Sequence, residues 1–188
     1  MSNAISALNG ASAAGFVTLR EEGLRGMITL RADLGDKALA AALNSHCGTS
    51  VPAQRKCVQA GPITVAWMSP DELMIFCAYG DAPKLAADLR AALADTHHLV
   101  EVVSDARAVF SLSGAAWRDV IAKLAPVDLD GFGVGDIRRT RFAQVAAAFW
   151  STGDDQVEIM CFRSVGQYMF DLLRLSSTPG SEVSYYAG

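Results

Sequence analysis

Hydrophobic and polar positions along the chain alternate in short bursts, and those bursts fall into two similar series. Runs rich in β-branched and aromatic residues, bounded by Gly, Pro and Asp, predict strands near Phe16–Leu19, Gly26–Arg31, Arg55–Gln59, Ile63–Met68, Leu73–Cys77, Leu99–Val103, Ala108–Leu112, Arg141–Trp150 and Val157–Phe162. Apolar residues at helical spacing predict helices over Asp36–Ser45, Ala82–Ala94, Ala115–Leu124 and Val165–Leu175. Leu85, Leu89, Ala92 and Leu93 form one apolar stripe, and Val120, Ile121 and Leu124 another. Asp81 and Ser113 read as helix N-caps, and Pro83 falls in a first turn, where its missing N–H costs nothing.

The series repeats at a period of roughly 80 residues, longer than the ~20–50 of a solenoid. Trp67 to Cys77 followed by the helix from Ala82 matches Trp150 to Ile159 followed by the helix from Val165. Ahead of each lies a further strand and helix, Met27 to Leu43 and Ala108 to Leu124. The predicted fold is therefore α+β, an internally duplicated β-α-β-β-α unit with mainly antiparallel sheets and helices packed on one face. Its boundaries are read as a flexible N-terminal tail over 1–15, one duplicated domain over 16–175 with halves of about 24–95 and 99–175, and a C-terminal tail over 176–188.

At 188 residues with 51% hydrophobic and 19% charged, the chain can bury a sizeable core without metal or disulfide. A formal net charge of −4 argues against a general nucleic-acid binder, which needs a concentrated basic face. The longest basic cluster, Arg138-Arg139-Thr140-Arg141, alternates within a strand-like run and reads as a local pair or rim contact. The first fifteen residues lack the cationic start and apolar run of a secretory signal, and no window approaches the ~20 apolar residues of a membrane span. A cytoplasmic protein beginning at Met1 is expected. Tyr185-Tyr186 is an aromatic pair on an unpatterned tail, a candidate docking element whose removal with the rest of 176–188 is expected to leave the domain's thermal midpoint within a few degrees while weakening assembly with a partner.

Candidate chemistry is sparse. Cys47, Cys57, Cys77 and Cys161 show no C-x-x-C spacing and read mostly as small buried hydrophobes. His46 at a helix end and His97-His98 before a strand lack a third ligand at metal spacing. Ser69-Pro70-Asp71-Glu72 is a type I turn sequence, although its two carboxylates could alternatively be catalytic. Gly131-Phe132-Gly133-Val134-Gly135-Asp136 lacks the preceding strand, following helix and glycine spacing of a dinucleotide fingerprint and reads as a flexible connection. Ser111-Leu112-Ser113-Gly114 is not a nucleophile elbow, and Asp105 and Arg107 are expected to pair locally. No catalytic, cofactor-binding or metal residue is assigned.

The segment from Val102 through Asp105, Arg107, Phe110, Ser113-Gly114 and Trp117-Arg118-Asp119 to Leu124, followed by Asp128-Leu129, resembles the gamma subunit of heterotetrameric sarcosine oxidase. Trp67 to Leu73 and Arg163-Ser164-Val165-Gly166-Gln167-Tyr168 resemble it too, in order, across about Leu24 to Leu175. The resemblance implies a fold similar to the folate-binding domain of glycine-cleavage aminomethyltransferases. It further implies an accessory chain without a reaction of its own, partnered by alpha, beta and delta subunits. Those partners would carry FAD, FMN, NAD and tetrahydrofolate and oxidise the N-methyl group of sarcosine. Aminomethyltransferases place a glycine-rich turn and a catalytic aspartate ahead of the strand ending each half, whereas Ile63 to Trp67 passes directly into the Ser69 turn. No catalytic aspartate carries over. A free-standing folate-binding one-carbon enzyme and a scaffold keeping only the fold remain alternatives.

Overall fold

The computed structural model of the chain describes residues 4–186. In chain order the elements are β1 (Ser12–Ala14), β2 (Thr18–Glu21), β3 (Gly26–Arg31), α1 (Lys37–Cys47), β4 (Cys57–Ala60), β5 (Ile63–Ser69), β6 (Glu72–Cys77), α2 (Ala82–Ala92) and β7 (Leu99–Val102). They continue as β8 (Arg107–Ser113), α3 (Trp117–Leu124), β9 (Ile137–Phe142), β10 (Val145–Gly153), β11 (Gln156–Phe162) and α4 (Gly166–Ser176). Short 3-10 turns at Tyr79–Asp81 and Arg163–Val165 lead into α2 and α4. The chain divides into two compact units, Arg25–Ser104 and a discontinuous one formed by the chain up to Leu24 and from Asp105 onward.

In the Arg25–Ser104 unit the sheet runs β4-β5-β6-β3-β7, antiparallel throughout. Its core joins Ile28 and Leu30 of β3 and Ile75 of β6 to Leu39 and Leu43 of α1 and Leu89 of α2. Each such side chain, fully buried, contributes roughly 1.5–3 kcal/mol of transfer free energy. The Asp36 carboxylate starts α1 by accepting from Ala38 N at 2.8 Å, and Gly48 ends it in the left-handed region at φ 67°, where a Cβ would be strained. Gly26 is required for a different reason: a Cβ there would stand 2.4 Å from the Ala78 carbonyl oxygen.

In the discontinuous unit the sheet order is β1-β2-β8-β11-β10-β9, again antiparallel. Phe110 and Leu112 of β8, Trp117 and Ile121 of α3, Phe142, Phe149 and Ile159 of the hairpins and Met169 of α4 form its core. Phe132 and Phe142 both meet Phe149, with centroids 5.0 and 5.7 Å apart.

Five strands correspond between the units: β9 to β4, β10 to β5, β11 to β6, β8 to β3 and β2 to β7. The 3-10 turns begin at Tyr79 and Arg163 and the helices after them at Ala82 and Gly166, a spacing of 84 residues in both cases. Both hairpins also carry a register shift beside the turn, between Trp67 and Ser69 and between Ser151 and Gly153. The duplication predicted from sequence is present, with five corrections to the expected elements. Trp67 lies opposite Leu73 whereas Trp150 lies opposite Glu158, so the tryptophans differ by one position and Trp67 corresponds to Ser151. A slip of one residue reverses the face a side chain occupies, so aligning the two tryptophans misplaces both.

Leu99–Val102 does not begin the second half. It completes the first as β7, and the matching strand of the other unit is β2, supplied from the N-terminal end of the chain. The expected tails belong to the discontinuous unit over their described part. Ser12–Ala14 is a strand paired with Thr18–Arg20, Ala7 and Leu8 pack on the core, Ser177 is buried, and Tyr186 also packs on the core. Residues 1–3 and 187–188 of those expected tails lie outside the described residues. The single strand expected over Arg141–Trp150 is instead the β9–β10 hairpin, turning at Ala143 with φ 49°. Finally, α3 starts at Trp117 behind Ala116 and not behind Ser113, whose successor Gly114 takes φ 136°.

Candidate functional site

The acidic turn at the tip of the β5–β6 hairpin is spent on structure. Arg31 of the neighbouring strand β3 donates to Asp71 Oδ2 at 3.3 Å and to Glu72 Oε2 at 3.0 Å, while Thr29 Oγ1 donates to Glu72 Oε1 at 3.1 Å and Ser69 Oγ to Asp71 Oδ1 at 2.6 Å. The register that sets Arg31 opposite Glu72 brings these groups together. Both carboxylates are held by donors, which leaves neither poised as a general base.

The glycine-rich loop is pinned as well, contrary to the flexible connection expected of it. Phe132 is buried in the core, Gly133 N donates to Asp136 Oδ2 at 3.1 Å, and Gly135 N donates to the Ser151 carbonyl at 3.2 Å. Amides that would cradle a phosphate are thus engaged within the protein. Arg138, first of the basic cluster, lies 3.6 Å from Asp136 and over the Phe132 ring at 5.1 Å, which is the local pairing expected. Arg107 covers the Phe162 ring at 3.8 Å. His98 Nδ1 lies 3.0 Å from the Thr96 carbonyl oxygen, and His46 occupies the last turn of α1.

All four cysteines are unbridged, and Cys47, Cys77 and Cys161 are buried. Burial pushes the Cys47 thiol up to about 11 and the Cys161 thiol up to about 12, and raises Cys77 as well. A neutral buried thiol is a poor nucleophile. No group of three or more metal-ligating side chains occurs among the described residues.

A cavity of ≈ 230 Å³ opens in the Arg25–Ser104 unit between His46, Ile63, Cys77, Asp81 of the 3-10 turn and the side of α2 bearing Lys84 and Asp88. That is smaller than the roughly 300–1,000 Å³ of ordinary ligand sites. Lys84 and Asp88 are paired at 2.5 Å, and this hydrogen bond holds the Asp88 carboxyl below its usual range. With its cation paired and its thiol neutral, the cavity assembles no reactive group.

The polar residues doing most to shape the surface are ones that sequence reading passed over. Glu21, only 1% exposed, accepts from Ser6 Oγ at 2.8 Å and Gly10 N at 2.7 Å, while Arg163 donates to the Ile5 and Ser6 carbonyls. Together they fasten the N-terminal segment outside β2. Buried Asp119 of α3 accepts from Ser184 N at 2.9 Å, and Lys123 donates to the Ser176 carbonyl at 2.8 Å and Ser181 Oγ at 2.9 Å, fastening the C-terminal segment. Glu21 had a legible signal: alternation in Thr18-Leu19-Arg20-Glu21 sets it on the core face with Leu19. Asp119 had none beyond its place beside an apolar stripe. Tyr185 is 71% exposed and meets the Tyr186 ring edge-on at 4.8 Å.

The structure is a duplicated α+β fold whose sequence motifs are absorbed into its own framework. The aminomethyltransferase T of the glycine cleavage system from Bartonella henselae shares this fold at 13% identity, with a TM-score of 0.61 over 79% of this chain and 43% of that one. A sequence profile described as the sarcosine oxidase, gamma subunit family matches residues 31–179, and the chain belongs to that family. It is similar to the sarcosine oxidase subunit gamma of Corynebacterium sp. strain P-1, 36% identical over 154 residues, covering 79% of this chain and 74% of the relative. The corresponding subunit of an Arthrobacter species is 37% identical over 150 residues, covering 76% and 71%. Among solved structures, a chain of the heterotetrameric sarcosine oxidase from Corynebacterium sp. U-96 in complex with pyrrole 2-carboxylate superposes with a TM-score of 0.79 at 29% identity, covering 88% of this chain and 87% of that one.

Proposed function

We propose that this chain is the accessory, non-catalytic gamma subunit of a heterotetrameric sarcosine oxidase. It packs against alpha, beta and delta subunits in the cytoplasm, and those subunits carry FAD, FMN, NAD and tetrahydrofolate and oxidise the N-methyl group of sarcosine. The observation that carries the reading is the near end-to-end likeness, at 29% identity, to a chain of an assembled heterotetramer. It is supported by the Asp71-Glu72 pair and the glycine-rich loop, whose polar groups are bonded within the protein. No residue of this chain enters the chemistry, and none is assigned a catalytic, cofactor-binding or metal role. Likeness to the aminomethyltransferase fold at 13% identity gives no separate support to a free-standing folate enzyme.

The test is to purify the chain alone and together with the co-expressed large subunits of a sarcosine oxidase. Alone it should show no flavin absorbance and no sarcosine-dependent oxygen consumption, and it should co-elute with the large subunits in an active complex. Flavin or turnover in the isolated chain, or failure to co-elute, would overturn the reading. Calorimetric titration with tetrahydrofolate should show no saturable binding tighter than about 1 mM, equivalent to only ~4 kcal/mol.

A further inference from the structure

The two units treat one equivalent edge differently. In the discontinuous unit Glu22 N donates to the Val109 carbonyl, so Glu22 and Arg20 turn their backbone groups toward β8 and Leu19 and Glu21 turn theirs outward. That outward edge is filled: Ser12–Ala14 pairs with Thr18–Arg20 as β1, and Glu21 N donates to the Ala11 carbonyl at 2.8 Å. The Glu21 carboxylate, reaching Ser6 and Gly10, holds the rest of the covering segment in place.

In the Arg25–Ser104 unit Val103 N donates to the Met27 carbonyl, which by the same alternation turns Glu101 and Leu99 toward β3 and Val100 and Val102 outward. Val100 pairs with Leu30 as Leu19 pairs with Leu112, so Val100 and Val102 are the counterparts of Leu19 and Glu21. Among the described residues no strand lies outside β7. Arg90 Nε takes the Val100 carbonyl at 2.7 Å, and its guanidinium pairs with Glu101 at 3.2 Å. The Val100 amide and both backbone groups of Val102 are left pointing away from the sheet. Leu99 and Val102, on opposite faces of the strand, are 45% and 39% exposed.

A short strand with outward donors and acceptors two residues apart is matched chemically by an extended peptide, and the duplicate unit shows such a peptide in place. We propose that the outer edge of β7 receives an extended segment of a large subunit of the complex, added as a further strand. Where the covering segment of the other unit answers a carboxylate at Glu21, this one would set an apolar side chain against Val102. The inference rests on the accessory-subunit reading and adds to it the place and manner of docking.

Val102→Pro removes the outward N–H while leaving the bonds from β3 to Glu101 and Leu99 intact. Assembled with the purified large subunits, the wild-type full-length chain should show at least tenfold slower hydrogen exchange at the Val100 and Val102 amides than when free. Val102→Pro should weaken co-assembly at least tenfold with the melting temperature of the free chain unchanged. Val102→Lys, which keeps the backbone and places a charge on the apolar position, should do the same if the proline variant fails to fold. Unchanged exchange at both amides, or wild-type assembly of the Lys variant, would sink the edge while leaving the accessory reading intact. Failure of the wild-type chain to assemble would remove both. Concentration-dependent dimerisation of the free chain that Val102→Lys abolishes would assign the edge to a second copy and overturn the proposed occupant.

Discussion

Cys77 and Cys161 stand at the same point of the two units, 84 residues apart, each two residues ahead of the 3-10 turn that leads into a helix. Both are buried, and burial raises both thiols. The duplicated position is a packing position, a small side chain where a strand passes beneath the start of a helix.

The buried thiols make stability depend on alkaline pH. A raised thiol pKa in the folded state means that the unfolded chain loses its proton first, so the contribution is complete below pH 9.0 and declines above it. For Cys47 and Cys161 the decline runs from 9.0 up to about 11 and about 12. Urea midpoints should be flat from pH 7 to 8.5 and fall by pH 10.5. In alkylation of the native chain at pH 8, half-exposed Cys57 should be modified well before the other three.

Trp117 is fully buried, donates from Nε1 to the Asp154 carbonyl at 2.9 Å and packs edge-on against Phe132 at 6.0 Å. Trp117→Ala should cost about 3–5 kcal/mol, since the ring, its hydrogen bond and its aromatic neighbour are lost together. Chemical denaturation followed by circular dichroism measures this directly. A loss below about 1 kcal/mol would mean that the core around α3 collapses to fill the space.

Truncation should distinguish two parts of the C-terminal segment. Ending the chain at Ser181 removes the Ser184 amide from Asp119 and the Tyr186 contact, and should lower the melting temperature by a few degrees, in line with about 1 kcal/mol. Ending it at Leu175 also removes buried Ser177, whose carbonyl accepts from Phe16 N at 2.9 Å, and the Lys123 contacts. That shorter chain should melt markedly lower still, in contrast to a detachable tail. Calorimetry of both truncations decides the matter.

At the β5–β6 tip, Glu72→Gln should destabilise the chain by about 1–3 kcal/mol because Arg31 loses its charged partner at a side chain only 9% exposed. Asp71→Asn, at a side chain 60% exposed, should cost less than 1 kcal/mol. Neither substitution should change sarcosine turnover per assembled complex. A drop in turnover at full assembly would return these carboxylates to the chemistry.

Most helices and strands were legible because each rests on a local signal. Asp36, Pro83 and Gly48 punctuate helices, and β-branched and aromatic runs mark β3, β5 and β6. The β9–β10 turn was hidden because Ala143 takes a positive φ without a glycine or asparagine to announce it. β1 was hidden because Ser12-Ala13-Ala14 carries no strand signal of its own. The Ser69 motif is the turn its residues announce, but nothing in them tells that Arg31 satisfies it, and the Gly131 loop is fixed because its own Asp136 folds back onto Gly133 N, which composition does not record.

By itself, then, the sequence determined the duplication, the α+β class and the family, since all three reside in local pattern and in the order of motifs along the chain. Only the tertiary structure decided that β2, from the far N-terminal side, takes in one unit the place that β7 takes in the other, and that β1 covers one of these two edges. Pairing between strands is made by backbone groups that every residue shares. The choice of neighbour is therefore settled by which apolar faces can be buried together, and no single stretch of sequence records it.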